Sequence, residues 1–450
     1  MKTNRRHFLT TSSASLAAPF FTPGLSMANP ANSKLSHAIV GVGGMQGNND
    51  LQSFASHQKF NVTVLCDLDK NELAKAAAKF PDARKYSDYR EMLAAEGDKI
   101  DSVSITIPDH SHAPVAYAAM AAKKHVYCQK PLTHSIHEAR ALRLAAEKHG
   151  VVTQMGNQIQ SSLEYRSAVE LIQRGAIGKI KEVHAWCGAV YTGTGRPAQT
   201  TPAPDTLDWN LWLGTAPERP FSPGHYHTVQ WRCWQDFGGG CMGDFGCHIL
   251  DTPFKALELS QPISVKNVAI DKTWRENPAA FKENWPAAET HEFLFPGTQY
   301  TANDTIQVTW YDGAHTPDPS LFPFSDDEPK SIPGNGSLFI GETGTIVLPH
   351  VGGPRFIPRE ANRGVDRPKL KPRSHYHAFI DACLGGEQTT SNFGFAANLT
   401  ESVLLGTVAC RFPDQELKWD AKALKITNAD AANAHVRKSY RDGFSVPGLG

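Results

Sequence analysis

Between residues 37 and 155 the chain alternates short apolar runs with longer stretches of helical spacing, and that rhythm limits the possible folds more than any other feature. His37–Val42, Asn61–Asp67, Ile100–Ile107, Lys124–Tyr127 and Val151–Met155 read as buried strands. Between them Asn71–Phe80, Ala113–Ala122 and His134–Lys148 are rich in Ala, Leu, Glu and Lys at helical spacing. Apolar strands joined through helices make a parallel sheet covered on both faces, since a parallel neighbour needs a crossover long enough to hold a helix. Beyond about residue 156 the rhythm changes. A helix, Leu163–Arg174, ends at Gly175, and strands at Lys179–Ala189, Ile263–Ile270, Thr290–Phe295, Thr305–Tyr311 and Ser337–Ile340 follow one another through turns. That succession favours an antiparallel sheet, which helices at His375–Leu384 and Ala396–Cys410 are expected to close.

The chain has 450 residues, and two domains are the default at that length. Lys plus Arg equals Asp plus Glu at 45 each, so no basic field points to nucleic acid or an anionic membrane. The first 28 residues have a layout of their own. Arg5-Arg6-His7-Phe8-Leu9 leads into a mild apolar stretch ending near Phe21, and Ser26-Met27-Ala28 offers a cleavage site. This is the plan of a twin-arginine signal peptide, which predicts a periplasmic or cell-envelope location. No other apolar run is long enough to span a bilayer, so the mature protein is expected to be soluble. The eight cysteines form no C-x-x-C pair, and Cys66 and Cys128 sit in strands as small hydrophobes, so no disulfide is predicted.

Gly41-Val42-Gly43-Gly44-Met45-Gln46-Gly47 directly follows the first strand. Gly41, Gly43 and Gly44 permit a tight turn and close approach to a pyrophosphate, with Met45 at the start of a helix whose N-terminal N–H groups face it. The glycine motif is imperfect, because Gln46 stands where a third glycine is expected and Gly47 comes one place late. The second strand ends at Asp67, where a carboxylate either accepts from the adenosine ribose hydroxyls or caps a turn. In the first role it repels a 2′-phosphate, with Asp69 adding to this, so the expected cofactor is NAD and not NADP. The fourth strand ends in Thr106-Ile107-Pro108-Asp109-His110-Ser111-His112. Its position past a strand's carboxyl end turns Pro108 and His112 toward a cofactor, although His112 could equally be satisfied by local backbone.

At Cys128-Gln129-Lys130-Pro131 the chain resembles the glucose–fructose oxidoreductase / inositol dehydrogenase / MocA (Gfo/Idh/MocA) superfamily. Gly175-Ala-Ile-Gly178-Lys-Ile180 and Gly238-Gly239-Gly240 followed by Asp244-Phe-Gly-Cys-His248 extend the likeness, which runs from about Leu35 to Leu417-Lys418-Trp419-Asp420. The resemblance implies a Rossmann domain over residues 35–156 and an α+β substrate domain over 157–450. It also implies His248 as base, Lys130 as partner of the reacting oxygen and Asp244 as an orienting carboxylate, with Gln129 and Asn157 beside the cofactor. Asp244 and His248 stand four apart, on one face of a helix. Neutral imidazole suits a general base near pH 7, and an ammonium steadies developing negative charge. Each has a plainer alternative: a solvated lysine, a helix-start carboxylate, a satisfied core histidine. Gln129 departs from the family, which usually carries Glu there.

A segment rich in aromatics, including Trp209, Trp212, Tyr226, Trp231 and Trp234, could stack on sugar C–H faces or simply pack a core. His227, Arg232 and Asp236 are its candidate substrate contacts. Cys241, Asp244, Cys247 and His248 have ligand-type side chains but no zinc spacing, so no metal is predicted. The expected activity is oxidation of a hydroxyl on a sugar, glycoside or polyol. A folded protein exported with its cofactor aboard would have to recycle it, so the net reaction is either hydride transfer to a second substrate or redox-neutral glycoside cleavage through transient oxidation and elimination. A non-catalytic sugar-binding protein on the same fold is the third reading. The open sheet offers a face for a homo-oligomer.

Overall fold

The computed structural model describes residues 34–193 and 195–449, and the expected export segment 1–28 lies outside them. Strands β1 (Leu35–Val40), β2 (Phe60–Cys66), β3 (Arg84–Tyr86), β4 (Ser102–Ile105), β5 (His125–Gln129) and β6 (Thr153–Gly156) form one sheet in the order β3-β2-β1-β4-β5-β6. Every pair is parallel. The chain leaves β1 toward β2 on one side and later returns to β4 on the other, so the helices diverge there and open a crevice past the strands' carboxyl ends. Val40, Val64, Val103, Ile105, Val126 and Cys128 are fully or almost fully buried, as strands covered on both faces require. The helix after β5 runs Ile136–His149, two residues later than its spacing predicts at the start. Ser135 is its N-cap and forms a reciprocal capping box with Glu138, which satisfies two otherwise orphaned N–H groups.

The second sheet has nine strands. These are β7 (Ile180–Cys187), β8 (Ser264–Ile270), β9 (Glu289–Pro296), β10 (Thr305–Asp312), β11 (Asn335–Gly341), β12 (Thr345–Pro349), β13 (Arg355–Ile357), β14 (Glu416–Asp420) and β15 (Lys425–Ile426), in the order β13-β12-β11-β7-β10-β9-β8-β14-β15. It is mainly antiparallel, as expected. The central pair β7 and β10 is parallel, because the chain between them is long enough to re-enter the sheet from the same end.

One expectation is corrected by packing. The helix His375–Cys383, expected with Ala396–Cys410 to close the second sheet, packs on the first domain. Its Tyr376, Phe379, Ile380 and Cys383 share a core with Leu35, Ile39 and Phe54 on the first domain, covering an apolar face that the first 156 residues leave open. The helix Phe393–Ala409 is buried almost all round and ties the two units together. Its Glu401 accepts from both Nε and Nη2 of Arg140 on the helix after β5, at 2.8 and 2.7 Å. Among the described residues no helix is long and apolar enough to cross a membrane.

Candidate active site and nucleotide cleft

A cavity of about 500 Å³ lies at the carboxyl ends of β1–β5. The glycine turn forms its floor. Gly41 has φ +88°, and a Cβ there would meet the Thr106 carbonyl oxygen at 2.1 Å. Gly47 explains the late third glycine of the sequence motif: a Cβ on it would sit 2.8 Å from the Val42 carbonyl carbon and 2.9 Å from the Gly41 oxygen. The helix Gly44–Ala55 starts here; Glu72 Oε2 accepts from its first N–H, that of Gly44, at 3.2 Å, and the N–H groups that follow, Met45 among them, are left to meet an anion. Met45 is 88% exposed and lines the cavity.

Asp67 lines the same end. Its Oδ2 accepts from the Val42 and Gly43 N–H groups at 2.9 and 3.0 Å, and its Oδ1 from Asp69 N–H at 2.9 Å. Burial pushes its carboxyl above the ordinary range, opposed by these backbone bonds. The carboxylate therefore staples the glycine turn to the end of β2, and it stands beside Asp69 and Glu72. The turn, the helix start past Gly44 and the carboxylate together fit a dinucleotide.

At the other end Lys130, Arg232, Asp244, His248, Asp109 and Tyr191 converge. The helix Gly240–Ile249 brings Asp244 and His248 to one face. Lys130 Nζ donates to Asp244 Oδ1 at 2.5 Å and to the Asp244 carbonyl at 2.9 Å, while Arg232 Nε donates to the same Oδ1 at 3.0 Å. Burial would raise the Asp244 carboxyl, but these two cations hold it well below the usual carboxylate range. His248 lines the cavity, and its Nδ1 is buried without a partner among the described residues. Burial, with Lys130 and His350 adding, keeps its imidazole neutral. Asp109 is 3% exposed, and burial pushes it up to about 8 against the pull of Arg232.

Three sequence-predicted contacts stand elsewhere. His112 is 1% exposed, and its ring nitrogens bond the Pro131 and Ile107 carbonyls, both at 2.8 Å. It braces the two loops that end β4 and β5 and does not line the cavity. Asn157 is fully buried behind the site, donating to the Cys247 carbonyl and Asp251 Oδ2. Asp236 pairs with Arg219, away from the cleft, because Arg219 lies buried beneath the rings of Tyr226, Trp234 and Phe237 and needs a counter-charge. Most of the aromatic segment packs around that arginine as a small core of its own; Trp212 and Trp231 reach the cavity. His227 lies over the cleft, 3.5 Å from Asp69. Pro108 and Gln129 line the cavity as expected.

Asp109 and Tyr191 were missed as site residues, although Asp109 follows Pro108 in the strand-end segment already singled out. Asp50 left no sequence signal at all. It is buried on the first helix and accepts from Gln46 and Gln129 Nε2, Thr106 Oγ1 and Tyr376 OH, all within 2.6–2.7 Å. Gln129 is thus a donor to a buried carboxylate, a part that a glutamate could not play while ionised. All eight cysteines are free and buried, and Cys241 and Cys247 are engaged with Cys187 and Thr400.

Comparison with known proteins places this arrangement in a class. Residues 35–157 match the family model described as "Oxidoreductase family, NAD-binding Rossmann fold", and residues 179–282 match its partner, "Oxidoreductase family, C-terminal alpha/beta domain". The chain belongs to the Gfo/Idh/MocA oxidoreductase family. It is 27% identical over 189 residues to the levoglucosan dehydrogenase of Pseudarthrobacter phenanthrenivorans, covering 42% of this chain and 40% of that protein. It is 31% identical over 172 residues to the inositol 2-dehydrogenase of Salmonella typhimurium, covering 37% and 49%. The aligned stretches thus span less than half of these curated relatives. The WlbA dehydrogenase from Bordetella pertussis, solved with NADH and UDP-GlcNAcA, shares the fold at TM-score 0.58 and 17% identity, over 86% of this chain and 99% of that one.

Proposed function

We propose that this protein is an exported, NAD-dependent oxidoreductase that oxidises a secondary hydroxyl of a sugar, glycoside or polyol. The observation that carries the reading is the Lys130–Asp244–Arg232 cluster beside a neutral His248, at one end of a cleft whose other end is the glycine turn. A nicotinamide dinucleotide bound along the cleft supplies a hydride acceptor. Gly41, Gly43, Gly44 and the first N–H groups of the helix would hold its pyrophosphate, with Asp67 toward the adenosine ribose and Gln129 and Pro108 toward the nicotinamide end. Asp69 and Glu72 reinforce Asp67, which supports NAD over NADP.

His248 takes the hydroxyl proton as a base. Lys130, oriented by Asp244, donates to the same oxygen and steadies its developing charge. Asp244 stays ionised throughout because two cations hold it, so it fixes Lys130 without competing for the proton. The names of the relatives, dehydrogenases of inositol and levoglucosan, support a polyhydroxylated substrate. The export segment at residues 1–28 makes retention of the cofactor part of the proposal, as does self-association through the open sheet.

One observation favours a second reading, redox-neutral glycoside cleavage. Simple hydride exchange has no use for Asp109, whereas elimination needs an acid for the leaving oxygen, and Asp109 is held protonated beside the cluster. The test is to purify the exported protein, release and identify bound nucleotide, and assay glycosides for both keto product and freed aglycone. Keto product establishes the first reading and aglycone release the second. Bound NAD with neither product across a broad panel leaves a binding protein, and failure to bind any nicotinamide dinucleotide refutes the proposal.

A further inference from the structure

The cleft is long. Lys130 follows β5, whereas Ser87, Tyr89 and Arg90 follow β3, four strand positions away in the order β3-β2-β1-β4-β5. At the usual spacing that is roughly 19 Å, so a ligand reaching from one end to the other must be extended. The far wall has an unexpected member. Among the described residues that line it, only Phe444 comes from beyond His248 in the chain.

Phe444 is set there by a segment, 436–449, that has no role in either sheet. Lys438 Nζ donates to Glu138 and to the His110 carbonyl at 3.0 and 2.7 Å, and Tyr440 OH donates to Glu138 at 2.6 Å. Arg441 donates to the Gly214 and Asn210 carbonyls at 3.1 and 2.7 Å. Leu449 is 1% exposed in the main core. Between these anchors the Phe444 ring lies 5.2 Å from the Arg90 guanidinium and 4.5 Å from that of Arg441. Arg90 is held from the other side by Asp88 and donates to the Gly443 carbonyl. Two planar groups, a guanidinium and a phenyl ring, are thereby fixed at the end of the cleft farthest from Lys130. Planar cations and aromatic faces are the groups on which a purine stacks.

We propose that segment 436–449 forms the purine-side wall of the nucleotide cleft, with Arg90 and Phe444 as the platform for an adenine, and that it governs how slowly the dinucleotide leaves. This rests on the reading of the cleft as a dinucleotide site. It adds a specific holder: the chain's second half reaches back across the first domain's nucleotide end. The segment bridges from the helix after β5 to the loop at residues 210–215, so release requires either passage past Phe444 or detachment of several charged anchors.

The test separates the two halves of the ligand. ADP-ribose and nicotinamide mononucleotide are titrated calorimetrically into the full chain, stripped of nucleotide, as wild type, Phe444→Ala and Phe444→Trp. The NAD dissociation rate is measured alongside by displacement with a fluorescent etheno-adenine analogue. Phe444→Ala should weaken ADP-ribose about tenfold, with a far smaller effect on nicotinamide mononucleotide, and speed NAD release by a similar factor, while Phe444→Trp should restore both. Arg441→Gln keeps the ring and removes two anchors, so it should speed release even if Phe444→Ala folds poorly. Equal weakening of both half-ligands, no change in either, or tighter ADP-ribose binding on loss of the ring would each overturn the proposal. Because these readouts involve no turnover, wild type that binds ADP-ribose at this wall yet oxidises no sugar would refute the proposed function and leave this inference standing.

Discussion

Removing the charge from Asp244 should cost more stability than removing its partner Lys130, although both substitutions should cripple turnover. Asp244 and Lys130 are only 10% and 13% exposed at the side chain, and Asp244 also serves Arg232 at 3.0 Å. Asp244→Asn keeps the shape but leaves two cations facing each other in a poorly solvated pocket. Breaking a buried pair in this way costs about 3–5 kcal/mol. Lys130→Met leaves the carboxylate still paired with Arg232 and fills most of the vacated volume, so the loss is that of one charged hydrogen bond, about 1.5–3 kcal/mol. Activity should rank the other way. In the proposed mechanism Lys130 donates to the reacting oxygen directly, so its loss should lower kcat about 100-fold or more, whereas Asp244 acts through Lys130. The measurements are urea unfolding followed by tryptophan fluorescence and steady-state turnover on the best sugar found. If Lys130→Met proved the more destabilising of the two, the picture of one carboxylate neutralised by two cations would be wrong.

Three further outcomes follow from the same geometry. Asp67→Ala should weaken NAD binding more than Lys130→Ala does, because Asp67 staples the glycine turn and, in the proposed binding mode, faces the ribose; calorimetric titration giving the reverse order would overturn the assignment of the two ends. Gly47→Ala gains about 1 kcal/mol of helix propensity but drives a Cβ into the Val42 and Gly41 backbone, an overpacking cost of about 1–3 kcal/mol, so the variant should melt lower and bind NAD less well; a stabilised variant with unchanged affinity would contradict this. Asp109 is raised from 3.8 to about 8 in the folded protein, so the stability associated with its neutral form is full below the unfolded value and is lost as pH rises through that window. Asp109→Asn should therefore gain on wild type steadily from about pH 4 to 8, by at most about 1.4 kcal/mol per pH unit, and level off above; thermal melts showing a pH-independent difference would refute a neutral Asp109.

Much of this was legible from local pattern. Apolar runs alternating with helical stretches are a period-level signal, and they placed the parallel sheet, the glycine turn and the strand-end positions of Asp67 and Lys130. The four-residue spacing of Asp244 and His248 placed both on one helix face, which the helix Gly240–Ile249 realises. What local pattern could not supply was the partner of each polar group. His112 and Asn157 have the side chains of site residues, but their donors and acceptors are used up on backbone and on Asp251. Asp236 is tied to an arginine seventeen positions earlier that the sequence did not mark as buried.

The sequence by itself therefore determined the alternation that builds the parallel sheet, the glycine turn at one end of the cleft and the shared helix face of Asp244 and His248, because each depends on periodicity or on short spacings within one element. Only the tertiary structure decided the rest. It set Asp50 against Gln129, gave the helix His375–Cys383 to the first domain's core, and carried Phe444 to the far wall of the cleft. The Asp50 pairings alone join residues 79 and 326 positions apart, Gln129 and Tyr376. Burial turns an unpaired polar group into a cost of kcal/mol, so partners are chosen by what the folded chain brings near, not by what lies adjacent in sequence.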